Sequence, residues 1–397
     1  SFYNVSMIGS TYVFNHDIAV NDFVINGSYI LANACDIYLN GNWTDDSFDN
    51  MFFHSNGTVF FNGVSKTITC LDGQFNNIVI NGSYSSMGVK MSTKQSSGTG
   101  GNFTIAEGAS FSPPHMDIEG NWTNEGNFTS SSGAVITFKG SNQQTINHNG
   151  ASFSNVVFNN TSVGNQNILV TSPMFIQGNT TFTNGIVVTS GLGIVVFGSS
   201  AGDVAGGTAT SYIDGLVSKT GTTAFTFPTG EGTVWAPVGI AAPSVSSTIT
   251  AEYNFSPGPL NWTAQYMCNE DEMHHTSGIE HWELSTTSAT PAVTLYWKDG
   301  SRSDITDLSD LAVAHWTGTC WEYKGGSFSG NLSSGSISST IPFTSYSPIT
   351  FGSKENINPL PVELLNLGAK CDENVVELFW QTASEINNDR FVLQRSS

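Results

Sequence analysis

Charge is what this chain has least of. Only 11% of its 397 residues are Asp, Glu, Lys or Arg, against about a quarter in an ordinary soluble domain. Cations are the scarcest: 12 Lys and Arg stand against 32 Asp and Glu, a net charge of −20. Residues 1–210 hold no Arg and only Lys66, Lys90, Lys94 and Lys139. Phosphate binding needs clustered Lys and Arg, so this balance argues against nucleic acid as a partner and against an anionic membrane surface. No run of about 18 apolar residues exists, which argues against membrane insertion as a helix. Cysteine is also sparse. Cys35, Cys70, Cys268, Cys320 and Cys371 form no CxxC pair, so a zinc ribbon or thioredoxin-like site is not indicated. An oxidising compartment would allow Cys35–Cys70 and Cys268–Cys320 as disulfides, with Cys371 left over; the alternative is five buried thiols. The chain opens Ser1-Phe2-Tyr3, without Met or a signal-peptide pattern, and reads as a processed or excised piece of something longer.

Catalytic signatures are missing too. There is no Gly-x-Ser-x-Gly elbow, no His-Glu-x-x-His and no phosphate loop. Glycan hydrolysis needs two carboxylates at a set separation. The acidic candidates for it are Asp36, Asp45, Asp46, Asp49 and Asp117, with the Asp45–Asp49 run reading as a solvated turn. Metal ligands are densest at Glu270, Asp271, Glu272, His274, His275, Glu280 and His281. On a strand, adjacent histidines would point to opposite faces and not share an ion. Asp299, Asp304 and Asp307, with Asp310, loosely resemble an oxygen-rich calcium loop. Gly at the sixth place and Glu at the twelfth are both absent, so a surface loop is the plainer reading and calcium the one weak cofactor candidate.

What the chain does have is Gly (41 residues), aromatics (12%) and abundant Asn, Ser and Thr. The first half repeats. Leu39-Asn-Gly-Asn-Trp-Thr matches Ile118-Glu-Gly-Asn-Trp-Thr, Phe61 falls over Phe138, and Phe75-Asn-Asn-Ile-Val-Ile-Asn matches Phe153-Ser-Asn-Val-Val-Phe-Asn. A third, partial copy begins at Ile176-Gln-Gly-Asn-Thr-Thr, 58 residues after Ile118 (176 − 118) rather than 79 (118 − 39). The shortening puts one structural unit near twenty residues. Each unit alternates apolar and polar residues and ends in Asn-Gly or Asn-Asn, the pattern of short strands and turns. Tandem strand units of this length predict an all-β fold, a right-handed β-solenoid over 1–205, with Asn and Gly at the corners where φ > 0 is tolerated. A β-sandwich of duplicated hairpins is the rival. Trp43 and Trp122, at equivalent places, read as core residues more readily than as exposed sugar platforms.

After residue 206 the repeat stops and Trp-anchored strands follow (His281-Trp-Glu-Leu, Leu295-Tyr-Trp, Ala314-His-Trp), predicting a β-sandwich over 206–353. Residues 354–361 read as a polar, Pro-bearing linker, and 362–397 as an incomplete immunoglobulin- or fibronectin-like module.

The run Leu360-Pro-Val-Glu-Leu-Leu, followed by Trp380-Gln-Thr-Ala-Ser-Glu-Ile-Asn-Asn-Asp-Arg-Phe-Val-Leu-Gln-Arg-Ser, closely resembles a module of secreted Bacteroidetes surface proteins. In that group the module lies shortly before a C-terminal sorting signal of the type IX secretion system. The resemblance implies export across the outer membrane and an extracellular or cell-surface, adhesin-like role. It implies no catalytic residues. The expectation is therefore a structural or adhesive protein without enzymatic activity, self-associating into fibres or meeting a surface polysaccharide or host ligand. A polysaccharide-binding or polysaccharide-degrading β-helix is the alternative.

Overall fold

The computed structural model describes residues 3–45, 52–71, 73–202, 204, 207–259, 266–300, 302–346, 348–355, 357–358, 364–372 and 375–382. These hold no α-helix. They fall into two compact units, Ser1–Gly221 and Thr222–Ser397.

The first unit is a β-solenoid of about 11 turns. Its strands stack into three faces, each a parallel sheet. The first face runs through Ile37–Leu39, Thr58–Phe61, Asn77–Ile80, Phe103–Ile105 and Trp122–Asn124. The second runs through Trp43–Asp45, Lys66–Cys70, Ser83–Gly88 and Ser110–Ser112. The third runs through Tyr29–Ala32, Phe52–His54, Gly73–Phe75, Lys90–Thr93, His115–Ile118, Val135–Gly140 and Asn155–Asn160. Successive rungs repeat every 17 residues (Ser110 to Asn127) to 27 (Ser83 to Ser110). Strand alternation sends every second side chain inward, so Ile37 and Leu39 are fully buried while Tyr38 between them is exposed. Parallel stacking rules out the hairpin sandwich for this half. Antiparallel pairing among its described residues is confined to the short hairpin Gln95–Ser96 with Thr99–Gly100 and a single bridge between Thr208 and Ser211.

The solenoid continues to Gly221, not to residue 205 as the loss of the repeat suggests. Ile213–Asp214 and Val217–Gly221 still stack in parallel on Val187–Thr189 and Ile194–Phe197. The rung that ends there is among the longer ones, 26 residues from Val187 to Ile213, and its added residues carry no Asn-Gly signature.

The sequence duplication does not span whole turns. From Trp43–Asp45 to Trp122–Asn124 is eleven wall strands, leaving aside the hairpin. Eleven is three full turns and two further faces, so Trp43 lies on the second face and Trp122 on the first. Phe61 and Phe138, and Phe75 and Phe153, are offset by the same eleven strands. The packing is nonetheless copied. Phe23 stacks on Trp43 at 4.8 Å and Phe103 on Trp122 at 4.8 Å. Trp43 meets Phe75 at 5.2 Å, and Trp122 meets Phe153 at 5.4 Å. Both tryptophans are fully buried. The third copy, Ile118 to Ile176, spans eight strands, one whole turn fewer with the same rotation. The missing twenty residues are thus one rung.

Side chains at the corners tie rung to rung. Asn4 Oδ1 accepts the Asp22 N–H at 3.3 Å, Asp22 Oδ1 the Asn42 N–H at 2.7 Å, and Asn42 Oδ1 the Thr67 N–H at 3.0 Å. The same ladder recurs through Asn77, Asn102, Asn121 and Thr145, at 3.1, 2.9 and 2.8 Å. Corner backbone that turns out of the sheet is thereby satisfied. The corner glycines serve two purposes. Gly27 has φ 61°, as expected of a turn glycine. Gly41 and Gly120 do not adopt positive φ; a Cβ there would overlap the carbonyl of the rung below, from Asn21 and Gly100 respectively.

The second unit holds two antiparallel sheets, consistent with a sandwich. One pairs Ser247–Asn254 with His281–Thr286, then Ile349–Ser353, Leu311–Trp316 and Trp321–Tyr323. The other runs Phe225–Phe227, Val238–Ile240, Val293–Trp297, Gly335–Ser338, Ser327–Gly330. Trp282 and Trp297, both fully buried, pack on Phe351 at 5.4 and 6.2 Å. Their indole N–H groups donate to Ala236 O and Asn331 O, which removes the cost of burying them. Of the terminal module, Leu364–Asp372 and Val375–Thr382 pair as an antiparallel hairpin; residues 383–397 lie outside the described residues.

Candidate functional site

Most residues singled out in the sequence are engaged in holding the fold. Asp36 Oδ1 accepts the Thr58 N–H at 2.8 Å, a rung-to-rung tie. Asp45 is buried on the second face beside its register partner Cys70. Asp46 and Asp49 lie outside the described residues. Asp36, Asp45 and Asp117 stand on different faces or corners and form no carboxylate pair.

The expected Cys35–Cys70 disulfide is not formed; both thiols are buried. Cys35 follows the third-face strand Tyr29–Ala32, whereas Cys70 ends a second-face strand, so they occupy different corners. Burial, with Asp17 and Asp36 nearby, pushes the Cys35 thiol up, away from the reactive thiolate. Cys268 and Cys320 are bonded, with Cα atoms 5.1 Å apart. They flank a cluster of Met267, Met273, Ala314, Trp316 and Trp321.

The calcium-loop candidates are not gathered either. Asp299 Oδ1 accepts the Arg302 N–H, Asp307 caps Ser309, and burial raises the Asp304 carboxyl. No three His, Cys, Asp or Glu side chains among the described residues are placed to share an ion. His274 and His275 differ from the expectation of opposed faces. The strand begins only at His275, so alternation does not govern His274, and the two Nδ1 atoms lie 3.2 Å apart. His275 donates through Nε2 to Asn358 O at 2.9 Å. Glu280, fully buried, accepts from Tyr253 Oη at 2.9 Å and Arg302 Nη2 at 3.1 Å. Its ion pair is a fixed part of the sandwich interior.

One solvent-facing arrangement stands apart from these structural contacts. On the outer side of the third face, adjacent rungs present Lys90, Ser92 and Lys94, then His115, Asp117 and Glu119, then Val135, Thr137 and Lys139. Asp117 is bonded by Lys90 and, at 2.6 Å, by Lys139. Burial pushes its carboxyl up, but the two ammonium groups outweigh this and hold it below the usual carboxylate value. The lysine side chains remain 35% and 34% exposed, so part of each donor set faces water. Beside them is an open cleft of about 340 Å³, lined by Glu119, Lys139, Gly140, Ser141, Asn159 and Thr161. The hairpin at 95–100 is pinned next to it. Gln95 N–H donates to Glu119 Oε2 at 3.0 Å, and Asn142 Nδ2 to Gly98 O at 2.8 Å. Sequence reading registered these lysines only as scarce. Their convergence depends on the twenty-residue rung, which places Lys139 two rungs from Lys90 on one face.

No protein-family model matches this chain, and no match is found among curated proteins or solved structures.

Proposed function

We propose that the chain is a structural, adhesive protein of the cell exterior, its solenoid serving as a stiff spacer without turnover. The observation that carries this reading is the ladder-bound solenoid: about 11 turns share one continuous aromatic and aliphatic interior, tied at the corners by Asn and Asp side chains. Such stacking suits a rigid rod. The described acidic candidates for hydrolysis are already occupied in rung contacts, a salt-bridged triad or the core, which favours a scaffold over a glycan hydrolase. Export by the type IX route, and placement outside the cell, rest on the resemblance of Leu360–Leu365 and Trp380–Ser396.

Self-association into fibres belongs to the same reading. Any solenoid rung whose edge is left uncovered would accept further strands. Surface proteolysis of intact cells and negative-stain imaging of the released protein test the proposal. Protease-accessible protein in rod or fibre form is expected; a protease-protected, intracellular protein would refute it.

A further inference from the structure

We infer that the outer third face around Lys90, Lys94 and Lys139 is a landing site for an anionic polysaccharide, whose carboxylate or sulfate groups meet the lysines while its hydroxyls meet the adjoining cleft. This names a ligand for the adhesive reading above and rests on it.

The charge distribution points there first. Ser1–Gly221 carries thirteen Asp and Glu against five Lys and no Arg. Three of those five lysines lie on one face within three adjacent rungs, Lys90 and Lys94 on the first and Lys139 on the third. A general need for solubility would scatter them. On this face of these rungs two carboxylates, Asp117 and Glu119, accompany them, so the patch carries a net positive charge in a strongly negative molecule. Asp117 takes one contact from Lys90 and one from Lys139, which orients both ammonium groups and leaves each with further donors. A polyanion would therefore find charges already aligned, with little side-chain ordering left to lose.

The neighbouring surface suits a hydroxylated chain. Lys139 belongs to both the triad and the cleft, whose other polar side chains are Glu119, Ser141, Asn159 and Thr161. These offer carboxylate, hydroxyl and amide groups in mixed donor and acceptor roles. The three rungs extend roughly 10 Å along the solenoid at the usual strand spacing, enough for a linear polymer to be met at more than one point. A compact anion would use the ammonium groups and leave the cleft empty.

Purified full-length chain, immobilised, is challenged at low salt with polygalacturonate, dextran sulfate and neutral dextran. Binding of one or both polyanions and not of dextran is expected, with polygalacturonate alone assigning a carboxylated ligand and dextran sulfate alone a sulfated one. High salt should weaken it. Lys94→Glu, at an exposed position, and Lys139→Gln should together reduce it at least about tenfold, with Lys94→Glu leaving the melting temperature unchanged. Absence of polyanion binding, equal binding of dextran, or indifference to both substitutions overturns the inference. Because the assay uses isolated protein, such a failure removes the ligand and leaves the exterior location to be judged by surface proteolysis.

Discussion

His148 shows how a single side chain sets the acid limit of the solenoid. It is fully buried, accepts the Trp122 indole N–H on Nδ1 at 3.0 Å and donates from Nε2 to Ala151 O at 2.8 Å. Burial lowers it from 6.5 to about 4, with the bond to Ala151 opposing weakly. Between those values the unfolded chain binds the extra proton. Stability is then full above about pH 6.5 and declines toward pH 4 by about 1.4 kcal/mol per pH unit. His54 and His315 are lowered by burial in the same direction. Urea midpoints measured between pH 7 and 4 should show the decline, and His148→Gln, which keeps one donor and one acceptor, should flatten it. Tyr84 marks the opposite limit. It donates to Gly41 O and accepts from Gly63 N–H, each at 2.9 Å, and burial raises it to about 12. Tyr84→Phe strands both backbone groups and should cost roughly 1–3 kcal/mol in a denaturant melt. Neither role was legible in the sequence. His148 stands where the first copy has Cys70, so the repeat marks no histidine there, and Trp43 Nε1 is correspondingly buried without an acceptor.

At the scale of elements, two fastenings control the second unit. The bond between Cys268 and Cys320 joins positions 52 residues apart, for which chain entropy gives about 4 kcal/mol. Reduction, or Cys320→Ser, should lower the melting temperature of this unit and leave the solenoid transition in place. The other fastening is a carboxylate. Asp310 accepts from Ser353 Oγ, from the N–H groups of Glu355, Ile357 and Asn358, and from Asn358 Nδ2. Burial pushes its carboxyl up, and these donors more than reverse the shift, so the grip holds at neutral pH and is lost as pH falls through its lowered value. Asp310→Asn turns an acceptor into a donor facing donors, at roughly 3 kcal/mol or more. Faster tryptic cleavage after Lys354 should report it. Strand existence was readable here because Trp-anchored runs alternate. The fastening was not, since Asp310 and Asn358 are far apart in sequence and each looks like an ordinary loop residue. The start of the predicted linker is in fact bound to the sandwich.

For the whole solenoid, the repeat was legible and its meaning was not. Matching residues lie 77 to 80 apart in sequence (Phe61 to Phe138, Phe23 to Phe103), and nothing in that spacing tells eleven strands from twelve. Only the pairing reveals that the copies turn by one face. Equivalent packing on different faces means that the three walls are interchangeable, and that one rung is the unit of tolerated change. Excising 123–146, which joins Trp122 to its register neighbour's successor Asn147, should preserve strand content and cooperative melting by circular dichroism. Excising 123–134, a partial rung, should abolish both.

That rotation also governs valence. Because the copies face different directions, a surface feature inherited with the repeat cannot appear twice along one side. The lysine patch has no counterpart in the first copy, where the residues 77 before Lys139 and 79 before Glu119 are Asn62 and Asn40. The described residues therefore offer that patch once, and tenacious attachment to a repeating polymer would come from many such patches gripping in parallel, each alone readily released.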